Sequence, residues 1–183
     1  MFRVSKDSPV HYLTSVAHDR LPVFQTARLK ELVCKALNEA RTSASFLIFA
    51  YVIMPDHLHM LIGSDRKPSE VLRYVNGITG RRVINFLKEK GLESSLQKLE
   101  RSDGPREHRY SLWDHHPNLK LITTETGLIE KATYVHNNPV RAGLVERANT
   151  IGGRVHVIGC ESHSKMNRCW LILIKSNGID REA

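Results

Sequence analysis

The sequence predicts an α+β fold: a ferredoxin-like antiparallel sheet with two helices on one face and a third helix after it. Three observations lead there. Strand-like runs and long amphipathic helical patterns follow one another as strand, helix, two strands joined in a hairpin, helix, strand. The hairpin turns on a Pro-Asp pair, which favours an antiparallel reversal, because Pro presets φ and Asp hydrogen-bonds locally. A chain of 183 residues with 41% hydrophobic and 25% charged residues suits a single domain with a real core.

Pro9 to Ala17, rich in β-branched and aromatic residues, predicts the first strand. After a short connection through Leu21-Pro22, Thr26 caps a helix running to about Arg41. Its Leu29, Leu32, Val33, Ala36, Leu37 and Ala40 form one stripe at helical spacing. Ser45 to Met54 and His57 to Gly63 are the two hairpin strands. Pro68, favourable as a first helical residue, opens a second helix that buries Val71, Leu72, Val75, Ile78, Val83, Phe86 and Leu87, although Gly77 and Gly80 weaken it. Glu93 to His108 reads as an ordered polar loop, and Arg109 to Thr123 holds a poorly patterned fourth strand. A third helix starts near Thr126 and is expected to end close to Asn138, since Pro139 steers its predecessor away from helical angles.

Within the hairpin, AYVIMPDHLHMLIG, side chains alternate faces. His57 and His59 therefore point one way and Leu58, Met60 and Ile62 the other. Two imidazoles on one face of a rigid hairpin suit half of a divalent-metal site, or equally two satisfied histidines at a sheet surface. On the third helix Tyr134 and Asn138 are four apart and share a face. His136 falls on a different side of that helix and reads as exposed or structural.

The formal net charge of +8 favours a polyanionic partner, nucleic acid above all. Arg73, Arg81 and Arg82 on the second helix, and Arg141 after the third, are the candidate phosphate contacts. Three cysteines without a C-x-x-C pair argue against a disulfide scaffold or structural zinc, and Cys34 reads as a buried thiol. No apolar run approaches a membrane span and no signal-peptide core opens the chain, so the expected location is cytoplasmic, at the nucleoid, without a membrane partner.

MPDHLHMLIG, followed some seventy residues later by YVHNNPVRAGLV, resembles the single-tyrosine HUH transposases, specifically the REP-associated tyrosine transposases. HDRLPVF near the start and WDHH at Trp113 to His116 extend the resemblance over about residues 9–147. The resemblance implies a metal-dependent endonuclease and transposase that binds single-stranded or hairpin DNA, as a monomer or homodimer. It implies Tyr134 as nucleophile, forming a 5′-phosphotyrosine intermediate. His57, His59 and Asn138 would be ligands to Mg²⁺ or Mn²⁺. The competing readings are a catalytically inactive nucleic-acid hairpin-binding domain and a metal-dependent phosphodiesterase in which Tyr134 is structural. Residues 1–148 make up the expected catalytic domain. Residues 149–183, with a strand-like run from Cys169 to Ile174, depart from the family pattern and read as a divergent tail.

Overall fold

The computed structural model describes residues 4, 5, 7, 9–101, 109–114 and 117–146, with the backbone alone of 150–151 and 154–155. His115, His116, Arg147 and the strand expected at Cys169 to Ile174 lie outside these residues. Four strands form one sheet: β1 (Val10–Val16), β2 (Leu47–Ile53), β3 (His57–Gly63) and β4 (Asn118–Ile122), in the order β2-β3-β1-β4 with every pairing antiparallel. That order, with a helix after β1 and another after β3, is the ferredoxin-like arrangement predicted from the sequence.

Helix α1 (Ala27–Ala44) starts where expected. Thr26 caps it by accepting a hydrogen bond from the Leu29 amide, and Ser45 ends it in a left-handed conformation. Helix α2 (Pro68–Glu89) begins on its proline. Both pack on the sheet face formed by Leu13, Leu58, Met60 and Ile62, closing the larger core with Val33, Leu37, Val71, Val75 and Val83. Helix α4 (Glu125–Arg141) crosses the opposite face. There Leu128 and Val135 meet Val10, Tyr12, Val52 and Leu61. A bulge between Ile48 and Ala50 in β2 turns Phe49 toward this second core.

Three expectations need correction. The polar stretch after α2 contains a short helix, α3 (Glu93–Lys98), because Leu96 and Leu99 are buried in the larger core and pull the segment onto it. Helix α4 does not stop at Asn138: it continues through Pro139 to Arg141. The proline sits in the last turn, where its missing donor removes only one ladder bond, and the Ala142 amide restores closure on the Asn138 carbonyl. Cys34 is buried, as its place in the stripe requires, but its sulfur is disulfide-bonded rather than a free thiol. β5 (Thr150–Ile151) and β6 (Arg154–Val155) form a separate two-stranded pair. No helix among the described residues is long and apolar enough to cross a membrane.

If α3 belongs to the core, Leu96→Ala should cost about 2–4 kcal/mol in denaturant unfolding. Leu92→Ala, at a position 42% exposed, should cost less than about 0.5 kcal/mol. Equal effects from the two would return the segment to a surface loop.

Candidate active site

The pairing of β1 with β3 builds the site. Thr14 lies opposite His59 and Val16 opposite His57. Since opposed residues share a face, Tyr12 and Thr14 stand beside His59 on the side that α4 covers. The Tyr12 hydroxyl lies 2.8 Å and the Thr14 hydroxyl 2.7 Å from His59 Nδ1. His57 Nδ1 is held by the Asp56 carboxylate. Each imidazole thus has one ring nitrogen fixed by a neighbour, and its Nε2 makes no hydrogen bond among the described residues. The two rings lie edge to face, with centroids 4.6 Å apart.

Helix α4 brings Tyr134 to the same place. Its ring lies 5.6 Å from His59 and 6.2 Å from Tyr12, edge-on to both. Thr124 caps the helix start by accepting from the Gly127 amide, which fixes where each later turn falls. Lys131 Nζ lies 5.3 Å from the rings of both Tyr12 and Tyr134, and the Arg141 guanidinium 5.4 Å from Tyr134. Two cations therefore flank the phenol from the turns before and after it on its own helix. Asn138 is buried one turn beyond Tyr134, and its amide makes no hydrogen bond among the described residues.

Burial governs the ionisation of this cluster. His59 is pushed down to about 4, first by burial and then by the neighbouring charge of His57, so it is neutral at physiological pH. Burial also raises the Tyr12 phenol. For Asp56, burial pushes upward, but the hydrogen bond and charge of His57 and the Arg20 contact at 3.0 Å outweigh it and leave the carboxyl below its usual range. A neutral imidazole with its second nitrogen anchored is the form in which histidine ligates metals. Among the described residues no group of three His, Cys, Asp or Glu side chains is arranged to hold a metal ion by itself. The donor set therefore fits a divalent cation only as two imidazoles completed by an amide, water or phosphate oxygen.

The structure thus brings together His57, His59 and Tyr134, with Arg141 joining them, and keeps Asn138 on the tyrosine's face. Arg73 and Arg81 lie apart, lining a groove beside α2, while Arg82 is turned to α1; both Arg81, at 3.7 Å, and Arg82, at 2.8 Å, contact Glu39. His136 is half-buried and its Nδ1 lacks a partner among the described residues. The sequence analysis missed Tyr12, Thr14, Lys131 and the orienting role of Asp56. The i, i+2 spacing of Tyr12 and Thr14 and the i, i+3 spacing of Lys131 and Tyr134 were visible, but only the strand register and the position of α4 connect them to the histidines.

A family model for IS200-like transposases matches residues 7–99, just over half of the chain, and the chain belongs to that family. The match includes the His57-Leu58-His59 hairpin and ends before α4. Among solved structures, a REP-associated tyrosine transposase bound to a REP hairpin is similar in fold. It is 16% identical, with a TM-score of 0.54, over 81% of this chain and 76% of that one. A candidate transposase from Deinococcus radiodurans, 17% identical over 75% of this chain and 95% of that one, gives a TM-score of 0.48. A search of curated proteins finds no match.

The depressed His59 predicts a pH effect in the metal-free protein. A histidine that stays neutral when folded but protonates near 6.5 when unfolded leaves stability untouched above that pH. It costs stability progressively as pH falls toward 4, by about 3 kcal/mol at most. His11 and His136, also lowered by burial, act in the same direction. Denaturant unfolding at pH 7.5 and 4.5 should therefore show a smaller acid loss for His59→Gln than for the unsubstituted chain; an identical loss would mean that His59 is not shielded.

Proposed function

We propose that this transposase cleaves and rejoins single-stranded DNA at a hairpin-marked site, with Tyr134 as nucleophile and His57, His59 and Asn138 as ligands to Mg²⁺ or Mn²⁺. The observation that carries this reading is the convergence of Tyr134 with two imidazoles whose Nδ1 atoms are already occupied by Asp56, Tyr12 and Thr14. That arrangement leaves both Nε2 atoms to act together. A divalent cation bound there would supply the positive charge that polarises a phosphodiester.

The remaining roles fall to the chain itself. Lys131 and Arg141, 5.3 and 5.4 Å from the Tyr134 ring, supply positive charge beside the attacking phenol. Attack forms the bond from Tyr134 Oη to phosphorus and breaks the bond from phosphorus to the 3′ oxygen. One proton leaves the phenol and one is taken up by the departing 3′ oxygen, so the product is a 5′-phosphotyrosine and a free 3′-hydroxyl. The phosphodiester energy stays in the covalent link, and the reverse attack can join strands. Hairpin recognition is supported by the fold shared with the hairpin-bound transposase and by the net charge of +8.

A second reading, a hairpin-binding domain without chemistry, draws on the family match ending short of Tyr134. Covalent trapping separates the two. Incubation with hairpin-flanked single strands and Mn²⁺ should give a protein–DNA adduct that Tyr134→Phe abolishes. His57→Ala and His59→Ala should lose the adduct while retaining most hairpin affinity, because phosphate contacts carry binding. Hairpin binding with no adduct in any divalent metal would establish the second reading.

Asn138 has its own test. As a ligand, its loss weakens metal affinity, so Asn138→Ala should need more Mn²⁺ for half-maximal cleavage and bind Mn²⁺ more weakly by calorimetry. Asn138→Asp should recover part of both. An unchanged Mn²⁺ midpoint in Asn138→Ala would remove it from the ligand set.

A further inference from the structure

On the sheet face opposite Tyr134, α2, residues 109–114 and Pro117 line a groove of about 1060 Å³. Its cations are Arg73, Arg81, Lys88 and Arg109; Arg81 lies 3.7 Å from Glu39 and Arg109 is paired with Glu100 at 2.7 Å, and the one carboxylate among the described lining residues is Asp114, 3.5 Å from His18. Arg73, Arg81 and Lys88 occupy one stripe of α2 and are separated by about 12 and about 10 Å along its axis. Tyr110 stands on the facing wall with Lys88 and Arg109 over its ring at 5.3 and 5.4 Å. Between the cations the helix carries Gly77, where an added Cβ would meet nothing within 4 Å. A glycine inside a helix costs up to about 1 kcal/mol relative to alanine. Here it opens the groove instead of relieving a clash.

We infer that this groove binds an unpaired nucleic-acid strand, with its phosphates on the α2 cations and a base on Tyr110. One row of cations with an aromatic platform is the pattern that tracks single strands. At its Asp114 end the wall of the groove is tied to the sheet, the backbone amide donating to the Val16 carbonyl at 2.9 Å.

The inference rests on the single-strand reading above, and the experiment separates the two. Binding of a ~12-nucleotide oligothymidylate is measured without divalent metal, so cleavage plays no part. Gly77→Trp fills the groove from an open position and should weaken binding at least about tenfold, with a melting temperature at or above that of the unsubstituted chain. Gly77→Ala should bind within about twofold while melting higher. Arg73→Ala and Lys88→Ala should each flatten the slope of log affinity against log salt by about 0.7. An unchanged oligothymidylate affinity in Gly77→Trp, or unchanged salt slopes, would overturn the groove whatever adducts Tyr134 forms. Equal weakening of a blunt duplex by Gly77→Trp would overturn the single-strand occupant. Failure of the unsubstituted chain to form a Tyr134 adduct would leave these affinities as they are and count only against the cleavage chemistry.

Discussion

The register between β1 and β3 is the constraint on which the rest depends. Side chains alternate with a period of two along a strand, so a slip of one residue would move a whole set to the other face. Here such a slip would take Tyr12 and Thr14 away from His59 and put Leu13 among the imidazoles. The two hydrophobic cores forbid it. Leu13, Leu58, Met60 and Ile62 must face α1 and α2, while Val10, Tyr12 and Leu61 must face α4. Packing on both sides of the sheet thus fixes the hydroxyl partners of His59. A buried, neutral imidazole is tolerable only because its Nδ1 has those partners.

His57 is fixed by different means. It begins β3 next to the turn, where register has less hold, and the segment from Ala17 to Phe24 clamps the turn instead. The Ala17 amide donates to the Asp56 carbonyl at 2.8 Å, the Phe24 amide to that of Pro55 at 2.9 Å, and Arg20 reaches the Asp56 carboxylate. Asp19 and Arg20 both carry left-handed backbone angles, φ 51° and 52°, at a cost of about 1–2 kcal/mol each. Non-glycine residues persist in such angles where the surroundings over-determine them, commonly at functional sites. The strain holds Arg20 over Asp56, and Asp56 holds His57.

Most of the fold was legible because it rests on local patterns. The stripe of α1, the Thr26 cap, Pro68 at the start of α2 and the Pro55-Asp56 turn are each a physical preference confined to a few residues. The errors arose where long-range packing overrode local chemistry. The α3 segment looked like a loop because its polar residues outnumber its leucines, yet burial of Leu96 and Leu99 outweighs them. Pro139 looked like a terminator because the penalty for a helical proline falls on the preceding turn, but both Asn138 and Pro139 are buried and the helix continues. The site shows the same division. His57, His59, Tyr134 and Asn138 carry motif spacing, whereas Tyr12, Thr14 and Lys131 matter only through contacts with residues distant in sequence or with one another's partners.

Helix α4 links these observations to the chemistry. In the reaction proposed above, the tyrosine needs to stay close to its imidazoles yet keep its oxygen available. Tyr134 is accordingly half-buried, anchored by the fully buried Val135 beside it and by Asn138 one turn on. The helix touches β2 and β3 and leaves β1's outer neighbour β4 largely uncovered, so the phenol sits at the edge of its own core. Its two flanking cations come from the same helix as the nucleophile. Any movement of α4 would therefore carry Tyr134, Lys131 and Arg141 as one unit while His57 and His59 stay on the sheet. In the proposed reaction the rigid half of the site would hold the phosphate, and the half that can shift would carry the attacking tyrosine.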